Sequence, residues 1–190
     1  MRGILLFGLV TFTAGCGDKA AAPRPAGGPT TSGVATGWKD FDGGSFKVTF
    51  PWGNPTHRPF FHGNAPAGVS DDATNYSAEK MDKDGITHNF GIVVVRTARK
   101  SGPEAVDAVL ATAVPPKMKR SGPTRVTWAG QPAEEFKYEP EDGGPTRLVI
   151  RRLVTDSTVY LGVVRDRGDL TPVDVARFFD SFRLHGAAKK

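Results

Sequence analysis

Residues Arg147 to Leu184 constrain the fold of this chain more than any other stretch. Arg147 to Thr155 is rich in Leu, Val and Ile, and Asp156-Ser157 is a two-residue turn signal. Thr158 to Arg165 follows as a second strand, with Val159, Leu161 and Val163 on one face. Thr171-Pro172 then opens a helix, with Thr as N-cap, Pro in the first turn and Asp174 three residues after the cap. Val175, Phe178, Phe179 and Phe182 fall at i, i+3, i+4 and i+7, one apolar stripe. Three phenylalanines on a short helix need a sheet to cover them, and the preceding hairpin supplies one.

The rest of the chain adds strands. Phe46, Val48 and Phe50 alternate with Lys47 and Thr49, the pattern of a half-buried strand that Pro51 to Pro55 stops. A loop to about Asp72 follows, carrying Pro59-Phe60-Phe61, His57 and His62; its length makes it a candidate functional loop. Thr74 to Met81 and Ile86 to Thr97 read as strands joined at Asp82-Lys83-Asp84-Gly85. The second is apolar on both faces near its end, as expected of a central strand in a covered sheet. Pro103 to Val114 has helical spacing in Val106, Val109, Leu110 and Ala113, and Pro115-Pro116 ends it. Thr124 to Ala129 and Ala133 to Tyr138 are further strands around Gly130.

The first residues have a different character. Arg2 precedes the apolar run Ile4 to Val10, which is too short to span a bilayer and has the length of a signal-peptide core. Thr13-Ala14-Gly15-Cys16 resembles the lipobox of bacterial lipoproteins, with Thr13 where such signals usually carry Leu. The resemblance implies cleavage before Cys16 and its lipidation. Cys16 is the only cysteine, so no intrachain disulfide supports the fold. Gly17 to Gly37 is rich in Ala, Pro, Gly, Thr and Ser and reads as a linker with a reach on the order of 25 Å. The expected organisation is a signal peptide over 1–15, a lipidated N-terminus and linker over 16–37, one α+β domain over 38–185, and a basic tail over 186–190.

Loss of Arg2 takes the 25 basic residues to 24 against 20 acidic ones, net +4. The cations are scattered, with Lys117 to Arg120 and Lys189-Lys190 as small groups only. A nucleic-acid surface needs clustered cations with interleaved aromatics, so no nucleic acid is expected as partner.

Antiparallel hairpins with two segregated helices predict an α+β fold, mostly antiparallel sheet with helices on both faces. Phe46-Lys47-Val48-Thr49-Phe50-Pro51, Ala129-Gly130-Gln131-Pro132-Ala133 and Phe178-Phe179-Asp180-Ser181-Phe182-Arg183-Leu184 resemble segments of a group of bacterial lipoproteins. Their domain is similar to the PsbP and Ran-binding Mog-type α-β-α sandwich. The likeness covers about Phe41 to Leu184. It implies a non-catalytic binding or assembly factor, and it transfers no binding residue to this chain.

The search for chemistry returns little. His57, His62 and His88 are too dispersed to define the three or four converging ligands of a metal site. Asp82-x-Asp84-Gly85 lacks the later ligands of a calcium loop, and Gly43-Gly44 and Gly143-Gly144 lack the Lys-Ser/Thr of a phosphate loop. There is no Gly-x-Ser-x-Gly elbow. No catalytic residue, metal or cofactor is assigned. Glu134-Glu135 and Glu139-Glu141 read as a solvated acidic face. Arg147 and Arg151 share one strand face, and with Arg165 they could contact an anion or an acidic partner; the alternative is a set of surface cations paired with Glu134, Glu135 or Asp156. The expected function is therefore a membrane-anchored envelope protein, facing the extracytoplasmic side, with a binding, assembly or accessory role and another envelope protein as a candidate partner. The rival readings are a metal- or solute-binding lipoprotein and a hydrolase using the loop around His57 and His62.

Overall fold

The hairpin that most constrains the sequence also lies at the middle of the large sheet. Strand β8 (Arg147–Val154) pairs antiparallel with β9 (Thr158–Asp166), from Val154↔Val159 at the turn to Arg147↔Asp166 at the open end. This is a computed structural model; it describes residues 35–61, 65–66, 69–82, 85–97, 103–168 and 170–186. The other strands are β1 (Lys39–Asp42), β2 (Phe46–Phe50), β3 (Thr56–Pro59), β4 (Val69–Asp82), β5 (Gly85–Thr97), β6 (Met118–Trp128), β7 (Gln131–Pro140) and β10 (Arg183–Leu184). The helices are α1 (Pro103–Thr112) and α2 (Pro172–Ser181). Seven strands form one antiparallel sheet in the order β3-β4-β5-β9-β8-β7-β6, and β1-β2-β10 form a second.

Strand alternation divides the large sheet into two buried faces. Phe90, Ile92, Leu153, Tyr160 and Val164 point to one, where they pack with Phe46, Val48 and Phe50 of β2 and with Phe178, Phe179 and Phe182. Val93, Val95, Leu148, Ile150, Val159 and Leu161 point to the other, where Val106, Val109 and Leu110 of α1 cover them. Helix α2 starts as its sequence demands. Thr171 Oγ1 accepts from the Asp174 N–H at 3.2 Å and donates to Asp174 Oδ2 at 2.8 Å, a reciprocal cap. The predicted stripe is core: Phe178, Phe179 and Phe182 are fully buried.

The expected α-β-α sandwich is not what forms. The chain is β-rich, with ten strands against two helices of ten residues each among the described residues. A ten-residue helix is about 15 Å long, whereas seven strands span roughly 29 Å across the sheet. Neither helix can act as a layer. Much of the cover on the α2 side is instead the second sheet, built where β2 pairs with β1 and with β10, Phe46 standing opposite Leu184.

Further differences lie in the strands and at the start of the domain. The expected loop after Pro55 contains β3, whose four residues are all exposed on an edge of the sheet. Strand β6 begins at Met118, six residues before the predicted start at Thr124, with a register shift between Ser121 and Thr124 around Pro123. Proline is tolerated there because β6 is the other edge strand. The packed chain also begins before Trp38. Ala35 is buried, its carbonyl accepts from Trp38 Nε1 at 2.9 Å, and the Thr36 carbonyl accepts from the Trp52 N–H at 2.9 Å.

Candidate functional site

The register of the central strands separates the predicted arginines. Arg165 stands opposite Leu148, so it shares the α1 face with Leu148, while Arg147 and Arg151 share the opposite face with Leu153. Arg147 is exposed at the open end of the hairpin. Arg151 is engaged: its Nε donates to Glu135 Oε2 at 2.9 Å and its guanidinium lies 4.4 Å from the centre of the Phe179 ring. Arg152 bridges Glu134 of β7 and Asp107 of α1. Burial alone would lower its pKa, but hydrogen bonds to Asp107 and Glu134 outweigh burial and raise it. Glu134 and Glu135 are thus partners of the β8 cations rather than a solvated acidic face.

Arg165 differs from its neighbours. Its Nε is buried and has no hydrogen-bond partner among the described residues. An orphaned buried donor costs about 1–3 kcal/mol, and more when the group is charged. The guanidinium lines a cavity of about 210 Å³ together with Phe60, Asn75, Glu79, Asn89, Leu148 and Val163, and with Ala113 and Pro115 after α1. The polar groups come from a single row across four strands, Glu79↔Asn89↔Arg165↔Leu148. One row further along, Gly91 stands between Ser77 and Val163. A Cβ at Gly91 would lie 3.3 Å from Asn75 Oδ1 and 3.3 Å from Asn89 Oδ1. Asn89 Nδ2 donates to Glu79 Oε1 at 2.9 Å, which fixes the orientation of that amide.

Phe60, from the segment predicted as a functional loop, is held here by its N–H donating to the Ala73 carbonyl at 2.8 Å. Its ring packs edge-on against Phe61 with centres 5.0 Å apart. The structure therefore brings together Arg165 and the Phe60 loop, and leaves Arg147 and Arg151 elsewhere. Glu79, Asn75, Asn89 and Gly91 were not singled out from sequence. The signal was present: Asn75, Ser77 and Glu79 alternate on one strand, and Asn89 and Gly91 precede Val93 and Val95 on a face that is otherwise apolar. Polar residues at core-facing positions mark a lined space more often than an error in the strand.

The histidines among the described residues do not converge. His57 is exposed on β3 opposite Tyr76. His62 lies outside the described residues, as does Cys16. His88 is buried on the α2 face, with Nδ1 3.2 Å from Asp166 Oδ1 and the Trp52 ring 5.9 Å away. Asp166 in turn accepts from the Leu170 N–H at 3.2 Å, so this pair ties β5 to the lead-in of α2. No group of three or more potential metal ligands occurs among the described residues. No helix among them is long and apolar enough to cross a membrane. No family model matches the chain, and neither does any curated protein.

Proposed function

We propose that this chain is a lipid-anchored domain of the bacterial cell envelope, facing the extracytoplasmic side, with a binding or accessory rather than catalytic role. The observation that carries the reading is Cys16. It is the sole cysteine, and it closes a short apolar run at the small residues Ala14-Gly15. The following residues, 17–34, are too poor in large apolar side chains to add a core of their own and suit a tether. A binding role is supported by the cavity at Arg165, where the buried Nε has no hydrogen-bond partner among the described residues.

The test is mass spectrometry of the N-terminal peptide from membranes of the native host. A diacylglyceryl group on Cys16, and release of the domain into the soluble fraction by Cys16→Ala, are expected. An unmodified Cys16 peptide recovered from membranes overturns the reading.

A further inference from the structure

We propose that the cavity at Arg165 binds a small zwitterion of the α-amino-acid class, with its carboxylate on Arg165 and its ammonium on Glu79. The inference rests on the binding role proposed above and gives it a ligand chemistry. Four observations carry it.

The first is the row Glu79↔Asn89↔Arg165. Glu79 and Arg165 sit two strands apart, roughly 9–10 Å between backbones, with Asn89 between them. They line one cavity, and no ion pair joins them. A cation alone would meet Arg165 and an anion alone would meet Glu79. A molecule bearing both charges meets neither penalty.

The second is the donor and acceptor count. Glu79 carries two carboxylate oxygens, and the amide oxygens of Asn75 and Asn89 both face the space above Gly91. Glu79 Oε1 already accepts from Asn89 Nδ2 and Ser77 Oγ, which leaves Glu79 Oε2 and the two amide oxygens as three acceptors for the three N–H donors of an ammonium. At the other end, the unpartnered Arg165 Nε offers one edge of a guanidinium fork, the geometry that takes a carboxylate.

The third is the remaining wall. Phe60, Val93, Leu148, Val163 and Pro115 are apolar and suit an aliphatic side chain. The fourth is size. At about 210 Å³ the cavity is smaller than the roughly 300–1,000 Å³ of pockets for drug-sized ligands. It suits a single amino acid better than a longer chain.

The test is a thermal-shift screen of the full-length protein against the common α-amino acids at millimolar concentration. Calorimetry then follows with the best of them, its N-acetyl derivative and its carboxamide. At least one aliphatic amino acid should bind, and blocking either end should weaken it tenfold or more. Arg165→Gln should abolish the preference for the acid over its amide. Glu79→Gln should abolish the preference for the free amine over the N-acetyl form. Circular dichroism checks that the variants fold, and the comparison of the three ligands on the unaltered protein stands without them. Absence of binding by every amino acid overturns the proposal. So does equal binding of the parent and the N-acetyl form, which would mark a site for the carboxylate end of a peptide. Equal binding of the parent and its amide overturns it too. These outcomes are independent of the anchor: a failed screen leaves Cys16 lipidation standing, and an unmodified Cys16 leaves the cavity result standing.

Discussion

The Trp128 indole N–H donates to the Phe179 carbonyl at 2.8 Å, fastening the end of β6 to the last turn of α2. The same contact satisfies a buried donor, on a carbonyl that also accepts from the N–H of the C-cap residue Phe182 at 3.3 Å. Gly162 of β9 makes the approach possible. A Cβ there would lie 2.8 Å from Trp128 Cη2 and Cζ2, and 2.9 Å from Phe179 Cε1. Both ring systems are held by their own packing and cannot yield cheaply.

Gly162→Ala is therefore expected to destabilise the domain although the alanine itself strains no backbone. Overpacking a filled core costs typically 1–3 kcal/mol, and that loss should appear in a urea midpoint. A variant as stable as the parent would show that the slot is looser than its distances imply.

The α2 stripe gives a larger effect. Phe182 stacks on Trp128 with ring centres 4.3 Å apart, and Phe178 lies 5.2 Å from Phe90 and 5.5 Å from Phe50. Removing either ring should cost roughly 3–5 kcal/mol, a large share of the ~5–15 kcal/mol that holds a domain together. Arg177 is exposed, with its guanidinium 4.5 Å from the centre of the Trp38 ring. Arg177→Ala should cost about 0.5–1 kcal/mol. Urea titrations of the three variants check the order, and native-like midpoints for Phe178→Ala and Phe182→Ala would overturn the core assignment.

These elements were legible because their signals are local. Asp156-Ser157, Thr171-Pro172 and the spacing from Val175 to Phe182 each fix structure within a few residues. Strands β1 and β3 were not, since Lys39–Asp42 and Thr56–Pro59 are polar and lie at sheet edges. The second sheet depends on Phe46 meeting Leu184, a pairing across most of the chain that no local pattern encodes. The cavity was half legible. A two-residue turn at Asp156-Ser157 already sets Leu148 opposite Arg165, which removes Arg165 from the Arg151 face. That Glu79 and Asn89 join Arg165 in one row depends on the register of three hairpinned strands, two of which are not neighbours in sequence.

Tyr138 supplies a pH signature. Its phenol is pushed above the usual tyrosine range first by burial, against a smaller lowering by the Arg120 charge and hydrogen bond. A raised native pKa means the stability is whole below the unfolded tyrosine pKa, near ~10. It is lost as pH climbs from there through the native value, because the unfolded chain releases the proton first. Tyr138→Phe has no proton to release at this position. The stability difference between parent and variant should shift in favour of the variant above about pH 10, as read from urea midpoints at stepped pH. Midpoints that fall in parallel would mean Tyr138 ionises as freely in the fold as outside it.

The last prediction concerns where the domain begins. Trp52 adopts φ +61°, a left-handed conformation rare for a bulky residue, and its N–H donates to the Thr36 carbonyl. Its ring packs on Phe90 at 5.4 Å and on His88 at 5.9 Å. Thr36 therefore helps hold a strained turn whose side chain covers the buried His88–Asp166 pair. Ala35 adds the acceptor for the Trp38 indole and is itself buried. A chain beginning at Trp38 loses both acceptors, whereas one beginning at Thr31 keeps them. Orphaning a donor costs about 1–3 kcal/mol where water cannot reach it. The shorter chain should unfold at lower urea by that order, and its Trp52 fluorescence should report a more solvated ring. Equal midpoints for the two truncations would show that residues 35–37 merely lie against the domain and that the turn at Trp52 holds itself.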